Sequence, residues 1–215
     1  MIIKLNREER KSLDDRMIAF YFLILKYIQT FQERHDNNKE AAFYSDRFSL
    51  KNFLQEFNVI RNLKKDIKNT EKEERNIIKL VRILEKEEFS VHKIDNIAAE
   101  LKDKGISKIN AISMISKICF LEKPETTFIY DRFVKRSIGF NNTPVPYKDF
   151  YNQVANVTNK NAFKNYMEEI ENDLIDKLQL IEKWTGYTNE VTDIRKMRIF
   201  DTYLMFLGQN EKCII

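Results

Sequence analysis

The chain has 215 residues, enough for one sizeable domain or two small helical lobes. Only 4 glycines and 3 prolines accompany a composition that is 33% charged, so the turn-formers of a sandwich or barrel are missing and an all-α fold is expected. The net charge of +4 is too small to argue for nucleic acid alone, and two cysteines, Cys119 and Cys213, exclude a disulfide framework, an iron–sulfur cluster or a self-sufficient zinc site.

Residues 1–16 are charged throughout, so no signal peptide is read there. The longest apolar run, 17–25, is too short for a bilayer. The expected setting is a reducing cytoplasm. Over 14–34, Met17, Phe20, Tyr21, Ile24, Leu25, Ile28 and Phe31 fall in helical rows and predict a largely buried helix. Residues 35–42 read as a loop. Ser49 suits the N-cap of a helix through Phe57, with Leu50, Phe53, Leu54 and Phe57 on one face. The charged stretch 64–74 reads as solvated surface, 77–84 as a return of apolar spacing, and 85–88 as an acidic break.

Ile94, Ile97, Ala98 and Leu101 give a short amphipathic helix, stopped at Lys104-Gly105 because glycine takes the left-handed cap conformation. Ser107 suits the N-cap of a second helix carrying Ile109, Ile112, Ile115, Ile118 and Cys119. Pro124 marks the following loop, and a third helix opens near Asp131. Residues 141–146 (NNTPVP) form the clearest linker. Helices are expected over 147–157, 162–184 and about 192–207.

Charge is unevenly spread. Between 101 and 140, Lys102, Lys104, Lys108, Lys117, Lys123, Arg132, Lys135 and Arg136 outnumber Asp103, Glu122, Glu125 and Asp131. With His35 and His92 far apart, no all-protein metal site is expected. Neither a Walker-type phosphate loop nor a Gly-x-Ser-x-Gly elbow occurs.

The ordered set of a hairpin at 104–108, an apolar helix at 111–120 and Asp131-x-x-Val134-x-Arg136 at a helix start resembles the helix–hairpin–helix superfamily of DNA glycosylases. More narrowly, SKICFLEKPETTFIYDRFVKRSIG resembles a bacterial 8-oxoguanine-glycosylase-like branch, with its Ser-Lys helix, proline and aromatic-Asp pair. RKMRIFDTYLMFLG is similar to that branch's closing helix.

The resemblance implies two helical lobes with a cleft between them. Residues 45–140 would form one lobe; 1–44 and 141–215 would form the other. It implies duplex DNA as partner, held at phosphates by Gly105, Ile106, Ser107 and Lys108 of the hairpin, sometimes with a bound monovalent cation, and by Arg132, Lys135 and Arg136. It implies extrusion of a damaged or modified base and N-glycosidic cleavage, with Asp131 stabilising the sugar cation or orienting water.

The sequence departs from the family in two places. Ser107 replaces the second hairpin glycine, and the lysine nucleophile of bifunctional members is absent, its place falling on Ser113 or Ile109. Lys117, one turn beyond Ser113, is the candidate for a supporting or Schiff-base role, with Lys108 the other nearby amine. A helical nucleic-acid-binding protein without chemistry, or a host-defence interaction protein, also fits these residues.

Overall fold

The computed structural model describes residues 2–36, 50–57, 93–140, 144–187 and 191–214. The expectations for Ser49, 64–74, 77–88, His92 and 141–143 lie outside them. Among the described residues the regular elements are helices, as the scarcity of glycine and proline predicts: α1 (Arg7–Asp36), α2 (Leu50–Glu56), α3 (Ile94–Asp103), α4 (Ile112–Glu122), α5 (Arg132–Ser137), α6 (Tyr147–Thr158), α7 (Asn161–Thr185) and α8 (Val191–Gln209). No described helix is long and apolar enough to cross a membrane.

The chain divides into two compact units, one of Met1–Lys26 with Pro124–Ile215 and one of Tyr27–Lys123. These bounds differ from the expected lobes of 45–140 and the two termini. The helix behind Asp131 belongs with the terminal segments, because α5 packs on α8.

In the first unit, α1 begins at Arg7, a turn or more before the apolar rows suggest. A capping box sets this start: Asn6 Oδ1 accepts from the N–H groups of Glu8 and Glu9 at 3.1 and 3.0 Å, and the Asn6 N–H donates to Glu9 Oε2 at 3.1 Å. Leu13, Met17, Tyr21, Ile24 and Leu25 are buried, while Phe20 is 38% exposed, so the helix is one-sided rather than wrapped all round. On α7 the buried series Phe163, Met167, Ile170, Leu174, Leu178 and Ile181 follows the three-and-four spacing of one helical face. It packs against α8, with Phe163 edge-on to Phe200 and Tyr203 at centroid distances of 5.3 and 5.8 Å. Each fully buried apolar side chain of this size stabilises the unit by about 1.5–3 kcal/mol. Gly186 ends α7 with φ of 70°.

Two charged features cross this unit. The Arg195 guanidinium of α8 is buried between two carboxylates of α7: Nη1 donates to Glu171 Oε1 at 3.0 Å, and Nε and Nη2 to the two Glu182 oxygens at 2.9 and 3.0 Å. Tyr21 of α1 donates its hydroxyl to Glu182 Oε1 at 2.6 Å. Burial, and then Glu182, push the Tyr21 phenol above its ordinary range, so it remains a donor at any working pH. Burial acts against the Arg195 charge, but the hydrogen bonds to Glu182 and Glu171 outweigh it and hold the guanidinium protonated.

The second feature joins the chain's extremities. Lys212 donates to Glu9 Oε1, Tyr203 donates its hydroxyl to Ile3 O, and the Leu5 N–H donates to the Tyr166 hydroxyl at 3.1 Å. Lys212, together with the Asn6 N–H, lowers the Glu9 carboxyl below the usual carboxylate range. A carboxyl depressed in the folded state contributes stability above its unfolded pKa and loses it as pH falls through the folded pKa. Glu9→Gln is therefore expected to lower the melting temperature modestly at pH 7. The difference from wild type should close in acid below the carboxylate range, as a melting series against pH would show.

In the second unit Tyr27 meets Phe53 edge-on at 5.1 Å. Helices α3 and α4 pack on each other, burying Ile94, Ile97, Ala98 and Leu101 on one and Met114, Ile115, Ile118 and Cys119 on the other.

Candidate functional site

Asp131 stands where an extended run meets α5. Its backbone is extended (φ −122°, ψ 150°), and Oδ1 accepts from the Phe133 N–H at 2.8 Å, making it the N-cap of that helix. The residue is half-buried. Both flanks are fixed. Upstream, the Tyr130 hydroxyl donates to Val145 O at 2.8 Å and accepts from the Val145 N–H at 3.1 Å, and the Tyr147 hydroxyl donates to Phe128 O at 2.7 Å. The Tyr130 ring also packs edge-on to Phe150 at 5.0 Å.

Downstream, α5 lies against α8 at Gly208. A Cβ on that glycine would sit 1.8 Å from Phe133 O, so only a glycine lets the two backbones approach this closely. Gly139, at φ of 86°, closes the other end of α5, where the Phe140 N–H returns to Lys135 O at 2.9 Å.

The three basic residues behind Asp131 separate. Arg132 is exposed, with its guanidinium 4.5 Å from the Phe133 ring centroid. Arg136 is half-buried and reaches Glu211 at 3.5 Å. Lys135 is only 8% exposed, and its ammonium lies 4.8 Å from the Tyr130 ring centroid, so the open charge of this turn is that of Arg132.

The loop between α3 and α4 opens in a tight turn. Gly105 takes φ of 68° after the C-cap, as its sequence position predicts. The N–H of Gly105 donates to Lys102 O at 2.9 Å, and those of Ile106 and Ser107 both donate to Leu101 O at 2.9 and 3.0 Å. These amides close the end of α3.

Ser107 is not the N-cap of the next helix. Its hydroxyl donates to Ile109 O at 2.7 Å, and α4 begins at Ile112 behind Ala111, with no side-chain cap. Ile109, expected on that helix, is 55% exposed in the loop. Lys108 is exposed beside it.

On α4, Lys117 is 5% exposed and donates from Nζ to Ser113 Oγ at 3.0 Å, the one-turn spacing expected for these two positions. The structure thus brings Asp131 together with Arg132, Lys135 and Arg136 on one turn, and Lys117 together with Ser113 in the other unit. Among the described residues no three His, Cys, Asp or Glu side chains gather as a metal site.

The contributions of Gly208, Tyr130 and Tyr147 to fixing Asp131 were not anticipated. The only signal was a glycine inside the apolar run YLMFLG of a chain that has four.

No protein-family model, no curated protein and no solved structure matches the chain. What fold and site define is an all-helical protein whose half-exposed aspartate is rigidly set at a helix start. The activity has to be read from that geometry.

Proposed function

We propose that this is a DNA glycosylase-like protein that removes a damaged or modified base by cleaving its N-glycosidic bond. The bond between the sugar C1′ and the base nitrogen breaks, its electron pair leaves with the base, and positive charge grows on the sugar. The Asp131 carboxylate stabilises that charge or orients the water that attacks C1′. The observation that carries the reading is a half-exposed carboxylate held from both sides, at Tyr130–Val145 and at Gly208–Phe133, beside the open guanidinium of Arg132. Arg132, Arg136 and Lys108 supply phosphate contacts, whereas Lys135, folded over Tyr130, supports the turn from within. Lys117 acts as the auxiliary amine or as a Schiff-base former.

The test is incubation with duplexes carrying 8-oxoguanine, uracil, alkylated bases or modified phage-type bases, followed by alkali to reveal abasic sites. Asp131→Asn is informative because asparagine caps a helix about as well as aspartate. The variant is expected to keep its melting temperature and lose base release. Unchanged cleavage by that variant, or no cleavage of any substrate by the wild type, would sink the catalytic assignment. Borohydride trapping that disappears in Lys117→Ala would mark the Schiff-base route.

A second reading rests on the same bond from Phe133 to Asp131, since capping alone accounts for that carboxylate. A helical nucleic-acid-binding protein without chemistry would show salt-sensitive binding and no abasic product. Each of Arg132→Ala and Arg136→Ala would then reduce the slope of log affinity against log salt by about 0.9 on duplex DNA. A host-defence interaction protein would show no nucleic-acid affinity even at low salt.

A further inference from the structure

The buried series on α7 accounts for one side of that helix only. On its outer side Leu180 and Trp184 are 45% and 68% exposed, and Trp184 is the most exposed large apolar side chain among the described residues. The two are one turn apart and so form a single patch. Aromatic side chains of this kind are concentrated where proteins meet one another, because they bury much area for few lost rotations.

Charge frames the patch in a particular order. At 100° per residue, exposed Asp176 and Lys183 fall on one flank of Leu180, and exposed Lys177 falls with Trp184 on the other. Within each pair the members are seven residues, or two turns, apart, and Leu180 stands midway between them. Neither Asp176 nor Lys183 is in an ion pair with a described residue. Lys177 is near enough to Asp14 of α1 to act on its carboxyl. A patch ringed by one sign would repel its own copy. This one carries both signs, at positions that a twofold axis through Leu180 exchanges.

We propose that this face of α7 binds a second copy of the chain, α7 against α7 and antiparallel, about a twofold axis at Leu180. That one axis makes three kinds of contact at once. Leu180 meets its own counterpart, Asp176 meets the partner's Lys183, and the stem of Lys177 lies on the partner's Trp184; the last two occur twice. A parallel pairing would set Lys183 against the partner's Lys183 and Asp176 against the partner's Asp176, so repulsion disfavours it. The overlap runs from Ile175 to Thr185, where α7 ends, which is about three turns. An interface of that length supports a dimer with a dissociation constant of tens of micromolar, roughly, and not an obligate one. It stands whether or not Asp131 is catalytic.

Trp184 is the only tryptophan in the chain, so its emission reads this face directly. Emission and sedimentation of the full chain, followed from about 0.5 to about 500 µM, test the proposal. The emission should move to the blue with the same midpoint at which sedimentation passes from monomer to dimer. Leu180→Glu, at an exposed position, should keep the melting temperature of the dilute protein and weaken dimerisation by at least about tenfold. Asp176→Lys and Lys183→Asp each turn both ion pairs into like-charge contacts and should weaken it by about tenfold. The two together recreate the pairs in reverse and should return it to within about threefold of wild type.

A monomer throughout that range, a dimer indifferent to Leu180→Glu, or a double variant as weak as the single ones would each overturn the proposal. So would an emission shift in dilute protein on adding anionic vesicles or duplex DNA without any self-association, which would assign the face to that partner.

Discussion

Gly208→Ala is expected to destabilise the protein by about 3 kcal/mol, lowering the melting temperature by roughly 10 °C. In an ordinary helix interior the substitution is favourable by about 1 kcal/mol, because glycine loses more backbone freedom on folding than alanine. Here the new Cβ would lie 1.8 Å from Phe133 O, 2.5 Å from its carbonyl carbon and 2.9 Å from its Cα. All three are backbone atoms, so no side-chain rotation relieves the overlap, and α5 or α8 has to shift by more than an ångström. The steric cost therefore exceeds the gain in propensity.

Because Phe133 donates the capping hydrogen bond to Asp131, the shift also loosens the candidate site. Hydrogen exchange at the Phe133 amide should accelerate in this variant. Gly186→Ala is the contrasting case. Its φ of 70° makes it mildly strained, but its Cβ would meet nothing within 4 Å, so a loss of about 1 kcal/mol is expected. Equal melting of wild type and Gly208→Ala would show that the two helices do not meet as described.

Arg195→Met is expected to cost about 3–5 kcal/mol, since it leaves two buried carboxylates without their cation. Glu171 and Glu182 are 9% and 8% exposed, and between them they accept three hydrogen bonds from Arg195. The same network replaced as a set behaves differently, because burying two neutral amides costs far less than burying two unpaired carboxylates. Arg195→Met combined with Glu171→Gln and Glu182→Gln should recover most of the loss. Thermal unfolding of the single and triple variants measures both effects. A single variant as stable as wild type would mean that the guanidinium is not clamped in this way.

How much of this was legible beforehand depended on whether the cause was local. The helices over 147–158, 161–185 and 191–209 are marked by their own apolar spacing and stops, and they agree with expectation to within a residue or two. The early start of α1 was written in Asn6-Arg7-Glu8-Glu9 but masked by the expected apolar rows, which begin only at Met17. Ser107 shows the opposite failure. A serine before an apolar run is a sound cap signal, but the amides of Ile106 and Ser107 turn back onto Leu101, and α4 starts later. At the candidate site the Asp131 cap was readable from its position. The burial of Lys135 against Tyr130 and the contact of Gly208 with Phe133 depend on which helices meet, and residue spacing within one element carries no record of that.

The contact between Gly208 and Phe133 also orders events during synthesis. The unit spanning Tyr27–Lys123 is continuous in sequence and leaves the ribosome whole before α6, α7 and α8 exist. The other unit draws on both ends of the chain, with hydrogen bonds joining residues 200 and 203 positions apart. Such non-local pairings close late. Asp131 is translated long before Gly208, so the nascent chain carries the aspartate without its supporting helix until the final turn of α8 emerges. If Asp131 is catalytic, activity appears only once Gly208 has emerged and α8 has closed on α5.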